Sequence, residues 1–274
     1  MISGKDGYCD MESKYQKIEG SPITYIDEGE GQPIVLLHGF CGSSRYWEEV
    51  LPELSKTYRV IAPDLPGHGQ SDSISNGTTI EKIAESIKAV IDELKLGKVT
   101  MFGHSLGGYI TLAFADKYAN QLNGFSLVHS TAFPDSDEAK KGRTANVEKV
   151  EQQGIHSLID GLVPKLFAPE HNDKNYVETA KKIGYETTSN GAIHALQAMK
   201  DRPDRNYVLK ETELPVLLLA GEQDQIIPAE KTFSVTKPKI THTIIKDAGH
   251  MSMYENPQEL IRVMKEFLSR FLEQ

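Results

Sequence analysis

Short apolar runs rich in β-branched residues recur along this chain at 34–37, 58–61 and 99–102, each followed by Gly or Pro and then a helix-like stretch. A strand that feeds a helix and returns to pair in parallel is the fold such an alternation specifies. Runs at 125–128, 216–219 and 241–245 extend the series. Their near-continuous apolarity suits strands covered on both faces, so the expectation is an α/β protein with a mostly parallel sheet. Between the runs, 79–94 carries Ile80, Ile83, Ala84, Ile87, Val90, Ile91 and Leu94 at spacings of three and four. A second stretch, 257–272, repeats that pattern, and both predict amphipathic helices covering the sheet.

The interval 134–206 breaks this rhythm. It has no strand-like run, turns to Lys, Glu, Asp and Gln, and contains helical segments at 156–167, 177–185 and 192–199. It reads as a helical insertion between two strands of a core made of 15–133 and 207–274, with 1–14 an N-terminal extension. A formal charge of −9 and the lack of a dense Lys/Arg run argue against a nucleic-acid partner. No run of roughly 18 apolar residues is present, so no membrane span is expected. The N-terminal residues lack the basic and apolar regions of a secretory signal, and Cys9 and Cys41 are the only cysteines. A reduced, cytoplasmic protein without a disulfide framework is the expectation.

Gly103-His104-Ser105-Leu106-Gly107 follows the run at 99–102 directly, and 109–118 then reads as a helix. A G-x-S-x-G string between a strand and a helix builds a sharp elbow that lifts the serine hydroxyl above the sheet. The flanking glycines are needed because the backbone there approaches its neighbours too closely for a Cβ. A serine hydroxyl is a weak nucleophile until a base takes its proton, and the base must be held by a third group. Asp224 follows the run at 216–219, and His250 follows the run at 241–245 in Gly249-His250. Glu222 and Asp247 compete with Asp224 for the acid role. His38-Gly39-Phe40 follows the first run, so the N–H groups of Phe40 and Leu106 are the natural oxyanion donors. His38 and His68 read as loop-packing residues.

Together with Asp64-Leu65-Pro66-Gly67-His68-Gly69, these segments resemble the α/β-hydrolase superfamily over roughly residues 20–273, in its serine-nucleophile branch. The resemblance implies an α/β-hydrolase fold: a mostly parallel central sheet, helices on both faces, and a helical cap inserted after the sixth strand, at 134–206. The cap residues Thr188 to Gly191 and Ala195 to Pro203 are similar to those of carboxylesterase-type and enol-lactonase-type members. Ser105 stands where dehalogenases and soluble epoxide hydrolases carry an aspartate.

The function expected is cofactor-free hydrolysis of a small carboxylic ester, thioester or lactone by Ser105, His250 and Asp224 through an acyl-enzyme. Two alternatives are haloperoxidase-like or lyase chemistry on the same triad, and a small-molecule receptor that retains slow turnover. Cys41, His129, Phe133, Ile226 and Met251 are expected in the pocket wall. No metal site is expected, since neither H-E-x-x-H nor a closely spaced Cys/His cluster occurs. Gly103-x-Ser105-x-x-Gly108 departs from the dinucleotide fingerprint at its second glycine.

Overall fold

The computed structural model describes residues 15–17, 23–74, 77–171 and 175–270; the expected extension at 1–14, with Cys9, lies outside the described residues. The strands are β1 (Tyr15–Lys17), β2 (Thr24–Glu28), β3 (Pro33–Leu37), β4 (Arg59–Pro63), β5 (Val99–His104), β6 (Leu122–Val128), β7 (Val216–Gly221) and β8 (Ile240–Ile245). They form one eight-stranded sheet in the order β1-β2-β4-β3-β5-β6-β7-β8. The β1–β2 and β2–β4 pairings are antiparallel and all others parallel. Every residue of β5 and β7 is buried, which is why those runs read as uninterrupted apolar stretches.

β1 and β2 have no counterpart among the apolar runs. β2 ends in Asp27 and Glu28, both half-buried, and its place next to the edge strand demands no continuous apolarity. Instead Asp27 takes a two-pronged hydrogen bond from Arg59 on β4, Nε to Oδ1 at 3.0 Å and a terminal nitrogen to Oδ2 at 2.7 Å.

The helices are α1 (Leu51–Leu54), α2 (Ile80–Glu93), α3 (Leu106–Tyr118), α4 (Asp137–Leu162), α5 (Asn175–Tyr185), α6 (Ser189–Asp201), α7 (Asn206–Glu211), α8 (Ala229–Thr232), α9 (Ser252–Glu255) and α10 (Pro257–Ser269). α2 buries Ile80, Ile83, Ala84, Ile87, Val90 and Ile91, and the Thr79 hydroxyl caps it by accepting the Lys82 N–H. α10 opens on Pro257 at its first position, is capped by Asn256, and buries Leu260, Val263, Met264, Phe267 and Leu268. α3 packs on β5, β6 and α2 and is buried along its first ten residues, so it shows no amphipathic stripe.

α4, α5 and α6 fall between β6 and β7, with α4 packed on both of the others. α4 begins at Asp137, well before the segment at 156–167 that periodicity picks out. Before Gly154 the only buried residue of α4 is Val150, so that stretch offers no apolar period to read; Gly154, at φ 78°, then kinks the helix. Among the described residues no helix is long and apolar enough to cross a membrane.

The strand order positions the site. β4 lies on one side of β3 and β5 on the other, so the loops leaving the carboxyl ends of β3 and β5 run in opposite directions and leave a crevice between them. Phe40 and Ser105 are on those two loops. Their closeness is measured at Gly39, where an added Cβ would come within 3.4 Å of the Ser105 Cβ.

Candidate active site

Ser105 stands between β5 and α3, at the N-cap of α3, with φ 50° and ψ −110°, a conformation that costs a non-glycine residue of order 1–3 kcal/mol. Its backbone is held from three sides. The Ser105 N–H donates to the Val128 carbonyl (2.9 Å), and the Ser105 carbonyl accepts from the Gly108 N–H (2.9 Å) and the Ser130 hydroxyl (2.7 Å). The turn is so tight that a Cβ on Gly103 would lie 2.3 Å from the Gly107 carbonyl oxygen, and one on Gly107 would lie 2.5 Å from the Leu37 oxygen. Leu106 begins α3, so its N–H belongs to the first turn, which has no intrahelical acceptor. Phe40 sits in the turn closed by the Gly42 N–H on the Gly39 carbonyl (3.1 Å), and its side chain lines the cavity above Ser105.

Asp224 and His250 lie on the loops after β7 and β8. The His250 Nδ1–H donates to Asp224 Oδ2 at 2.8 Å, with both side chains almost wholly buried. Asp224 Oδ1 accepts the N–H groups of Ile226 (2.8 Å) and Ile227 (2.9 Å), which leaves Oδ2 facing the imidazole. Burial works to raise this carboxyl, but the neighbouring imidazoles of His250 and His129 outweigh it, and Asp224 stays well below the usual carboxylate range. Glu222 and Asp247 are engaged with each other, the Glu222 carboxylate accepting the Asp247 N–H at 3.3 Å, and both are exposed. The structure therefore brings Asp224 to His250, and Ser105 and His250 to the wall of one cavity of about 380 Å³.

Of the five residues expected in the pocket, Phe133 and Ile226 line that cavity and Cys41, His129 and Met251 do not. Cys41 is fully buried with φ 54°, and its carbonyl accepts the Tyr46 hydroxyl at 3.3 Å. Met251 is fully buried in the core. His129 lies behind Asp224: its Nδ1 accepts the Gly221 N–H at 3.0 Å and its Nε2–H donates to the Ser252 hydroxyl at 2.6 Å. Adjacency to a motif along the chain does not say which way a side chain turns, and these three turn inward.

His129, Asp224 and His250 also bring their donor atoms within 4.8 Å of one another, a spacing a metal ion could bridge, although no close Cys/His cluster exists in the sequence. Each of those atoms is already committed to a hydrogen bond, the Asp224 carboxylate and His250 Nδ1 to each other and His129 Nδ1 to Gly221.

Four further residues at the site have no signature in the sequence analysis. Glu255, fully buried, accepts the Ala168 N–H (2.7 Å) and His171 Nδ1–H (3.0 Å) on one oxygen and the N–H groups of Gly249 (2.9 Å) and Met251 (3.1 Å) on the other. It thereby fixes the backbone on both sides of His250, whose own N–H donates to the Leu166 carbonyl at 2.8 Å. A glutamate five residues after His250 is the cue that could have found it. Asp135, Arg143 and Arg202 line the cavity from the insertion and come together only through the fold.

Buried neutral histidines surround the site. The His38 Nδ1–H donates to the Gly39 carbonyl (2.8 Å) while its Nε2 accepts the Leu65 N–H (2.8 Å), so a second proton on the ring would confront a donor. Burial lowers His38 to about 4 and His68 to about 3 from the ordinary 6.5, and pushes His104 and His129 down as well. Below pH 6.5 the unfolded chain takes up protons that the native chain refuses, so stability falls with pH. At about 1.4 kcal/mol per pH unit, His38 alone removes about 2 kcal/mol between pH 6.5 and 5. The other three add to that loss, whereas Asp224, whose native carboxyl is depressed, contributes only below the ordinary carboxylate range. Urea unfolding is expected to show a lower midpoint at pH 5 than at pH 7, with a loss of at least the ~2 kcal/mol from His38. Equal midpoints at the two pH values would mean that these rings are protonated in the native state.

The sequence profile of the alpha/beta hydrolase fold matches residues 32–257, a span that includes Ser105, Asp224 and His250. A thermophilic esterase from Thermogutta terrifontis superposes with a TM-score of 0.87 at 32% identity, covering 90% of this chain and 93% of that one. The 3-oxoadipate enol-lactonase 1 of Acinetobacter baylyi is 26% identical over 89% of this chain and 91% of its own length. The dihydrolipoyllysine-residue acetyltransferase component of the acetoin cleaving system of Pseudomonas putida is 28% identical over 88% of this chain, which spans 64% of that longer protein. With a strained serine elbow, a buried aspartate-histidine pair and a fold profile that covers them all, the protein is a hydrolase of the α/β-hydrolase family, with esterase and enol-lactonase relatives.

Proposed function

We propose that the protein is a serine hydrolase that cleaves a small carboxylic ester, thioester or lactone through an acyl-enzyme, every proton being moved by its own side chains. The observation that carries this reading is the strained Ser105 on the wall of a cavity shared with His250, whose far nitrogen is paired to the buried Asp224. With Nδ1 holding its proton toward Asp224, His250 presents an unprotonated Nε2 as base. Ser105 Oγ attacks the carbonyl carbon as its proton passes to Nε2, and the N–H groups of Phe40 and Leu106 receive the developing oxyanion. Collapse breaks the bond to the leaving group, which takes the proton from His250. Water then repeats the sequence, losing a proton to His250, releasing the acid and restoring the Ser105 hydroxyl.

Asp224 acts by orientation and charge, holding His250 in the required tautomer and stabilising the imidazolium formed in each half-reaction. A fluorophosphonate probe is expected to label Ser105 stoichiometrically and to abolish p-nitrophenyl acetate hydrolysis in proportion. Peptide mapping that places the label elsewhere, or activity that survives full labelling of Ser105, would overturn the reading.

A further inference from the structure

The chain as a whole carries a formal charge of −9, yet the cavity above Ser105 gathers Arg143, Arg202 and Lys231 against one aspartate, Asp135. Asp135 is divided between two guanidinium groups: its Oδ1 accepts from Arg202 at 2.6 Å and its Oδ2 from Arg143 Nε at 3.0 Å. The side chains of Arg202 and Asp135 are 4% and 5% exposed, so this charge balance is struck away from water, where an unmatched charge is expensive. Arg202 also donates to the Met199 (2.7 Å) and Phe133 (3.2 Å) carbonyls, and its guanidinium carbon lies 3.9 Å from the centre of the Tyr109 ring. Its Nε, buried, has no acceptor among the described residues. Lys231 has no carboxylate partner among the described residues, and its ammonium stands 5.2 Å from the centre of the Phe133 ring.

Two guanidinium groups and an ammonium facing one carboxylate leave the cavity with an excess of positive charge, enclosed by apolar walls that focus its field. An excess of cationic hydrogen-bond donors of this kind is matched by a planar anion that takes paired N–H donors. We propose that the substrate carries a free carboxylate besides its scissile bond, making it a half-ester or lactone of a dicarboxylic acid, with Arg143 and Lys231 taking the carboxylate and Arg202 fixing Asp135 out of its way. This inference rests on the serine-hydrolase reading of the same cavity.

The test compares p-nitrophenyl monoadipate with the neutral ester of equal length in which a methyl ketone replaces the carboxylate. In the wild type kcat/KM is expected to favour the charged ester by about tenfold or more, mainly through KM. That preference is expected to shrink in about 0.5 M NaCl. Arg143→Gln, chosen because Arg143 is partly exposed and Arg202 keeps its bond to Asp135, should bring the ratio close to one. Arg262→Gln, on the exposed face of α10, should leave the ratio as it was. A wild-type ratio of one or less, or a preference untouched by Arg143→Gln and by Lys231→Gln, would overturn the proposal. Should neither ester be turned over, the hydrolase reading fails by itself, and calorimetry with free adipate decides the subsite. Binding by the wild type that weakens about tenfold in Arg143→Gln supports it, and no binding, or equal binding, overturns it.

Discussion

Ser105→Ala is expected to lower kcat for short p-nitrophenyl esters by about 10⁶ while leaving thermal unfolding in place. The elbow explains why chemistry and fold separate here. Hydrogen bonds with Val128, Gly108, Tyr109 and Ser130 hold Ser105 in its strained conformation, and all of them use its backbone. Alanine keeps the backbone groups and a Cβ of the same size, so it inherits the same φ and ψ at the same cost. What disappears is the Oγ that the proposed mechanism uses to form the acyl bond, and the neighbouring hydroxyl of Ser130 is spent on the Ser105 carbonyl. Residual turnover would then come from the oxyanion donors and the cavity alone. Circular dichroism and kcat measured on the same preparation check both halves. A variant that keeps more than a small fraction of wild-type kcat would remove Ser105 from the mechanism.

Asp224→Asn is expected to cost about 10⁴ in kcat, and the hydrogen bonds around the carboxylate say why. Oδ1 accepts two backbone N–H groups, from Ile226 and Ile227, so in the variant the amide oxygen must take that place. The amide nitrogen then occupies the position of Oδ2 and points its hydrogens at His250 Nδ1. His129 Nδ1, 3.4 Å from that position and already an acceptor for Gly221, reinforces the same orientation. His250 would then carry its proton on Nε2, and in the proposed mechanism it could not take the Ser105 hydroxyl proton. Asp247→Asn, in an exposed residue that does not reach His250, should leave kcat within a small factor of the wild type. A reversed ranking of the two variants would move the acid to Asp247.

Both arguments use positions that the sequence makes legible. Parallel strands covered on both faces must be apolar throughout, so β3, β5, β6 and β7 declare themselves, and with them the loops at the carboxyl ends of β5 and β7 where Ser105 and Asp224 stand; His250 follows β8, whose shorter run at 241–245 is legible although the strand is only partly buried. β2 escapes notice because a strand paired near the edge can end in Asp27 and Glu28 and gain an ion pair with Arg59 in exchange. The first half of α4 escapes because a helix with a single buried residue before its kink has no period. Cys41, His129 and Met251 fail as pocket residues for a different reason. Position in the chain places a residue beside a site, but the turn of each side chain is decided by packing, and packing sends these three into the core. Arg143, Arg202 and Asp135 lie on separate segments of the insertion, so only the folded chain makes them neighbours.

The Glu255 carboxylate matters to anyone who would exchange the helical insertion of this protein for that of a relative. It joins the loop of His250 to Ala168 and His171 of the insertion, and the Leu166 carbonyl receives the His250 N–H from the same quarter. The residues at 166–171 therefore belong functionally with the last loop of the sheet, although the chain delivers them inside the insertion. A chimera cut at the ends of β6 and β7 carries that seam away with the donor segment and leaves Glu255 facing unmatched partners. One cut to retain 166–171 from the host keeps the histidine loop seated, and makes the remaining helices a replaceable part.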